Sequence, residues 1–193
     1  MLDTCIWVAQ SDPARGIAEE QSAIERLMDL YLNHRVSLAK ADTVDVERTA
    51  GLHGTVAEQR ILETAGIIEA HGPFVLDHSR LEHSVFGSAS DISGIEDVLQ
   101  LVHPGRALAD SSKAGVHDIR DALHIWTAIR YGYQAFVTTD GAVLKSADRL
   151  RRRGTSSMRI LTPSQAVSWV DDEINKEELR TARRRALEQR ERL

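Results

Sequence analysis

The sequence predicts an α/β fold with a mainly parallel central sheet. Three observations carry that prediction. Ala135-Phe136-Val137-Thr138 is an apolar run of strand length, followed at once by Asp140 and a helical pattern. Apolar residues recur at helical spacing in residues 18–33, 55–70, 92–102, 118–131 and 143–153. Turn signals at His71-Gly72-Pro73, His103-Pro104-Gly105 and Thr162-Pro163-Ser164 separate these stretches. Strands that alternate with helices read as βαβ units, whose crossovers cover both sheet faces. A chain of 193 residues suits one domain over 1–165, with a charged C-terminal helix over 166–193.

Each element has its own signal. Met1-Leu2-Asp3 reads as the end of a very short first strand, with Thr4-Cys5-Ile6-Trp7 turning away from it. Asp12-Pro13 is a helix-start pair, acid at the cap and proline in the first turn. Ile24, Leu27, Met28, Tyr31 and Leu32 mark the inward stripe of the next helix. Residues 36–39 alternate as a strand does, and Asp42 opens a helix that Gly51 and Gly54 break. Residues 55–70 read as a third helix, and residues 72–90 as an inserted ribbon whose strands fall in 74–86. Residues 107–117 lead into the helix of 118–131, residues 157–161 form a last strand, and Thr162-Pro163-Ser164 caps the terminal helix.

Composition removes several classes of function. A hydrophobic content of 42% supports a sizeable core, whereas aromatics at 5% are too few for base-stacking platforms as the main mode of recognition. The net charge of −5 argues against holding nucleic acid by bulk electrostatics, though a local basic patch remains compatible with it. Cys5 is the only cysteine, so intramolecular disulfides and thiolate metal clusters are excluded and a reducing cytoplasm is the expected compartment. The chain has no apolar run of membrane length, no phosphate-cradling glycine loop, no nucleophile elbow and no paired histidines at zinc-protease spacing.

The chemistry-bearing pattern is a set of carboxylates at element ends. In open α/β sheets ligands bind beyond the carboxyl ends of the strands, where Asp3 and Asp140 are expected. Each acid has a plainer role beside that one. Asp3 can cap a strand-to-helix turn, Asp140-Gly141 can be a turn, and Asp118 and Asp121 can be first-turn acids facing the helix dipole. Asp42 and Asp45 suit a capping pair. Glu47 shares the inward face of Val44 and Ala50 at i+3 spacing, and a buried carboxylate requires a partner. Carboxylates aimed at one spot raise one another's pKa unless a hard cation neutralises them, which points to a divalent metal.

With Asp3-Thr4, Glu47, the Asp121-Ala122-Leu123 triplet and Val137-Thr138-Thr139-Asp140 in this order, the chain resembles the PIN-like domains, nearest to the ribonuclease toxins of toxin–antitoxin pairs. The resemblance spans residues 1–165 in order of elements, and its specific part is residues 118–163. It implies a three-layer α/β/α fold and a Mg²⁺- or Mn²⁺-dependent endoribonuclease that leaves 5′-phosphate and 3′-hydroxyl ends. The implied catalytic and metal residues are Asp3, Glu47, Asp121 and Asp140, with Asp45 as substitute for Glu47 and Asp118 as a fifth ligand. Thr4 and Thr138 supply hydroxyl support, and His124 orients Asp121. Cys5 departs from the Asn or Ser usual at its place in the family. An RNA substrate, an antitoxin protein and a homodimer are the implied partners.

Lys145, Arg149, Arg151 and Arg152 follow Asp140 on one helix, where they can bind flanking phosphates or simply complement the helix dipole. Residues 171–193 run from acidic to basic around a thin apolar stripe, as a solvated helix or a self-association or RNA-holding arm. The eight histidines read as surface or core residues, and the tryptophans as packing. Two rival functions stand beside the nuclease. One is a PIN-like RNA- or protein-binding module. The other is a haloacid-dehalogenase-like phosphatase built on Asp3, Thr138 or Thr139 and Lys145, whose second aspartate is replaced here by Cys5.

Overall fold

The computed structural model describes residues 1–11, 14, 17–49, 56, 66–73, 87–153 and 157–190. It is mixed α/β and mostly helical, with short parallel strands. The elements in chain order are α1 (Thr4–Ser11), a 3₁₀ turn (Ala18–Glu20), α2 (Gln21–Leu32), β1 (Ala39–Ala41), α3 (Thr43–Thr49) and β2 (Ile68–Ala70). There follow α4 (Ala89–Val102), α5 (Lys113–Arg130), β3 (Ala135–Val137), α6 (Gly141–Arg152), β4 (Arg159–Leu161) and α7 (Pro163–Arg190).

β1 pairs with β2, and β3 with β4, both in parallel. Residues 1–3 join the two pairs. Leu2 N–H donates to Ala39 O at 2.8 Å, Val137 N–H to Met1 O at 2.9 Å and Asp3 N–H to Val137 O at 3.0 Å, with Leu2 bridged in parallel to Val137. The order across the sheet is therefore β2, β1, residues 1–3, β3, β4. The chain builds outward from the N-terminal segment on one side, then crosses to build on the other. The reversal lies between residues 1–3 and β3, the kind of switch point where open α/β sheets place ligands.

The helices pack in two groups. α2 lies against α1 and α7, and α7 contacts β3 and β4. α5 lies against α4 and contacts β1 and β3, and α4 also packs on α6. Leu2, Ile6, Trp7, Ile24, Ile95, Leu99, Ile119, Leu123, Ile125 and Phe136 are fully buried between these layers. Local chemistry fixes the helix starts. Ser88 and Asp91 form a reciprocal capping box on α4, and Ser112 accepts from Gly115 N–H at the head of α5. No helix among the described residues is long and apolar enough to cross a membrane.

Several boundaries differ from the sequence reading. The strand expected at 36–39 is β1 at 39–41, and the last strand is 159–161 rather than 157–161. The helix expected to run through Ala70 has given way by Ile68 to β2, whose Ile68, Glu69 and Ala70 pair with β1. Strand pairing at the sheet edge decides those three residues over a helical apolar spacing that periodicity alone cannot resolve. Helix α5 starts at Lys113, five residues before the expected 118, because Ser112 caps it. Asp118 and Asp121 therefore lie well inside the helix, and the dipole argument for them falls. Of the expected ribbon, residues 88–90 cap and begin α4, and residues 74–86 lie outside the described residues, as does the Asp12-Pro13 pair. The expected boundary at 165 falls within α7.

The close packing of α4 on α5 rests on Gly94. A Cβ built there would meet the Trp126 ring at 2.2 Å. Gly94→Ala is expected to destabilise the protein by about 1–3 kcal/mol through overpacking, despite the better helix propensity of alanine. Urea unfolding checks this, and an unchanged or higher midpoint contradicts it.

Candidate functional site

The carboxyl edge of residues 1–3 and β3 brings buried Asp3 near half-buried Glu47, Asp121 and Asp140. Asp3 leaves its strand position and its carbonyl receives Ile6 N–H at 3.1 Å, starting α1. Its side chain is buried and nearly saturated. Oδ1 accepts from Thr4 N–H at 2.8 Å and from His124 Nδ1 at 3.2 Å. Oδ2 accepts from Thr138 Oγ1 at 2.7 Å and lies 3.5 Å from the Cys5 thiol. Burial alone would raise the Asp3 pKa; the His124 hydrogen bond and charge, with Thr138 and Thr4, outweigh it and hold the carboxyl below its ordinary value. Burial and the Asp3 charge push the Cys5 thiol up to about 12, so it stays protonated and can donate.

Asp140 ends the β3 turn and caps α6. Its Oδ1 accepts from Ala142 and Val143 N–H at 2.7 and 3.0 Å, and its own N–H donates to Thr138 Oγ1 at 2.9 Å. The plain capping role and a place at the rim thus coexist, since both capping bonds fall on one oxygen. Thr138, fully buried, ties Asp3 to Asp140. Glu47 on α3 accepts from the Thr4 hydroxyl. Asp45, its substitute in the sequence reading, instead pairs with buried Lys40.

His124 differs from its expected role. It binds Asp3, with Nε2 buried, free of hydrogen bonds and 3.9 Å from Glu47 Oε2. Burial works against its charge, but the fields of Glu47, Asp3 and Asp121 and the Asp3 bond push it up to about 9. The residue that holds Asp121 is His103, which sequence reasoning read only as part of a helix stop. Its Nε2 donates to Asp121 Oδ2 at 3.1 Å, and its Nδ1 lies 3.4 Å from Asp118 Oδ1. The Asp121 hydrogen bond is the main cause of a raised His103 pKa, opposed by burial and aided by Asp118, Asp121 and Asp140. Arg106 was also missed; it clamps Asp118 and Asp110. A histidine and an arginine flanking a Pro-Gly turn, shortly before two aspartates three apart, was the available signal.

Among the described residues, the group of three or more possible ligands lying mutually within 4.8 Å is His103, Asp118 and Asp121. No three of Asp3, Glu47, Asp121 and Asp140 meet that criterion. The four acids share one electrostatic neighbourhood rather than one ligand shell. Burial is the largest cause of an Asp121 carboxyl pushed up to about 6; the His103 bond opposes it, and the charges of Asp3 and Asp140 add to it. Glu47, Asp3 and Asp121 all act on His124.

The basic residues after Asp140 are partly committed. Arg149 Nε donates to Leu101 O at 2.9 Å, and Arg151 pairs with Asp148 at 2.8 Å. Lys145 and Arg152 are exposed on α6. In comparison with known proteins, no family model, no curated protein and no solved structure matches this chain.

The Asp121 shift has a direct consequence for stability. Its folded pKa lies above the unfolded value of 3.8, so ionising it costs the folded state free energy once the pH exceeds that value. In chelator-treated protein at pH 7, Asp121→Asn is expected to raise stability by about 1–2 kcal/mol, a gain that vanishes as pH falls below 4. Thermal melts across pH 3.5–7.5 test this; a variant less stable than wild type at pH 7 refutes it.

Proposed function

We propose that this protein is a divalent-metal-dependent ribonuclease with a three-layer PIN-like fold, hydrolysing RNA phosphodiester bonds at the rim formed by Asp3, Glu47, Asp121 and Asp140. The observation that carries the reading is an uncompensated negative charge at the sheet's reversal point. Asp3, Glu47, Asp110, Asp118, Asp121 and Asp140 are six carboxylates, facing His103, His124 and Arg106 as three cations. Three negative charges remain even with both imidazoles protonated, enough for at least one divalent ion.

The donor set is all oxygen apart from the imidazoles, which suits a hard cation such as Mg²⁺ or Mn²⁺. Mg²⁺ commonly takes one or two carboxylates directly and keeps several waters, so acids spaced beyond a single shell still fit. Asp121 and Asp140 are the residues suited to direct contact, the first by its raised pKa and the second because its cap uses one oxygen. Asp3 and Glu47 are held by hydroxyls and His124, and would act through water. Such a cation, when bound, eases deprotonation of water and offsets charge on the leaving oxygen.

The chain's own residues supply position and proton placement. Thr138 and Thr4 fix Asp3 and Glu47 in single orientations, so little reorganisation is needed when an RNA phosphate arrives. Lys145 and Arg152, exposed on the helix that Asp140 caps, suit contacts to flanking phosphates. A phosphatase using Asp3 as nucleophile is disfavoured, because its carboxylate oxygens are already engaged by Thr4, His124 and Thr138. An antitoxin protein as partner accompanies the toxin form of this reading.

Asp140→Asn preserves the capping oxygen while removing the charge, so the fold is expected to survive. Cleavage of single-stranded RNA in Mn²⁺ or Mg²⁺ should fall by about 100-fold or more, as for the loss of several kcal/mol of charge stabilisation, and chelation should abolish it. Equal low rates for wild type and Asp140→Asn in clean preparations would sink the proposal.

A further inference from the structure

His103 stands at the end of a series of fixed groups. It closes α4, its N–H donating to Leu99 O at 2.7 Å, and its carbonyl receives Arg106 N–H at 3.2 Å. Gln100 braces the same turn by accepting from Gly105 N–H at 3.1 Å. From that turn Arg106 reaches Asp110 and Asp118. Gly115 leaves the space that Asp110 fills, since a Cβ there would lie 2.3 Å from the Asp110 carboxyl carbon. Asp118, held on Oδ2 by Arg106, turns Oδ1 toward His103 Nδ1 at 3.4 Å. The series ends on His103 Nε2, 3.1 Å from Asp121 Oδ2.

A carboxylate on one ring nitrogen, with the other nitrogen turned to the site, is how proteins orient an imidazole that ligates a metal. Two ligand atoms each about 2.1 Å from one ion stand about 3.0–3.4 Å apart in octahedral or tetrahedral geometry. The 3.1 Å between Nε2 and Asp121 Oδ2 therefore suits neighbours on one ion as well as a hydrogen bond. His103, Asp118 and Asp121 are half-buried, which leaves a path for an ion. The charge of Asp140 acts on both His103 and Asp121, so that carboxylate borders the same spot.

His124 is an independent sign that the rim is short of a ligand. Asp118, Asp121 and His124 follow at three-residue spacing along one ridge of α5. His124 repeats the arrangement of His103: Nδ1 lies 3.2 Å from Asp3 Oδ1, and Nε2 faces Glu47 Oε2 at 3.9 Å, too far for a hydrogen bond. The ring is fully buried and Nε2 has no hydrogen-bond partner, a costly state for a polar atom unless something binds there.

Resting on the metal-dependent reading above, we propose that the rim takes a first-row transition-metal ion such as Mn²⁺ in preference to Mg²⁺, with His103 Nε2 and Asp121 as adjacent ligands and Asp118 orienting the imidazole. Imidazole nitrogen suits the transition ions, whereas Mg²⁺ takes oxygen and dehydrates reluctantly. Arg106 and Asp110 act one layer further out, by fixing Asp118.

The probe is Mn²⁺ alone, added in substoichiometric amount to the chelator-treated full chain. Electron spin-echo envelope modulation should show coupling to an imidazole nitrogen in the wild type, lost or reduced in His103→Gln. Affinity for Mn²⁺ should fall by about tenfold or more in that variant, and affinity for Mg²⁺, read by calorimetry, by about threefold or less. An imidazolium that merely neutralises acids predicts the opposite, because removing it leaves more negative charge and both ions bind tighter. That result overturns the proposal, as do Mn²⁺ bound without nitrogen coupling, coupling unchanged in His103→Gln, or no Mn²⁺ binding at all. Circular dichroism establishes that the variant is folded, with His103→Asn in its place if it is not. The nuclease reading is judged separately. Bound Mn²⁺ without nitrogen coupling leaves cleavage through the carboxylates intact, whereas nitrogen-coupled Mn²⁺ without RNA cleavage upholds this site and sinks the nuclease.

Discussion

Three residues of extended backbone hold the sheet together. Met1, Leu2 and Asp3 exchange hydrogen bonds with Ala39 on one side and Val137 on the other, joining two strand pairs into one surface. Their amides and carbonyls are buried, so those bonds are obligatory rather than optional. The same geometry delivers Asp3 to the crevice where the strand order reverses. Fold and site thus depend on one segment: shift its register and Leu2 leaves the core as Asp3 leaves Thr138 and His124.

The acids at this edge are managed in two different ways. Asp3 is surrounded by donors and stabilised as a carboxylate, while half-buried Asp121, beside other negative charges, has its carboxyl pushed up to about 6. His124 lies between Asp3 and Glu47 from separate elements, His103 between Asp118 and Asp121 of α5, and neither histidine removes the excess charge. The cluster is therefore poised rather than relaxed. Poised groups of this kind concentrate where chemistry or ion binding occurs, although structural networks shift pKa values too. On the proposed reading, a cation relieves the repulsion that the fold maintains.

The two ends of the sheet have opposite characters. At the carboxyl ends of the strands, polar side chains are fixed by short hydrogen bonds. At the amino ends lies an apolar groove beside a helix whose charges are sorted along its length.

Much of the element order was legible in the sequence, because periodicity and caps act within a few residues. Asp140 at the strand-to-helix turn, the stop at His103-Pro104-Gly105 and the helix from Pro163 follow from such local signals. The strand-end places of Asp3 and Asp140 were legible as well, whereas Asp121 lies inside α5 and Glu47 inside α3. Three things were not. Residues 68–70 became strand rather than helix because pairing with β1 outweighed local spacing, and Ser112 started α5 earlier than its apolar pattern implied. Who holds whom was also hidden: His124 lies 121 residues from Asp3 in the chain, and His103 reaches Asp121 across the α4–α5 packing. The sequence by itself determined which residue types stand at the strand ends, since that depends on local order. Only the tertiary structure decided which acid is saturated, which is raised and which cation answers each, because those depend on burial and on distances between elements far apart in the chain.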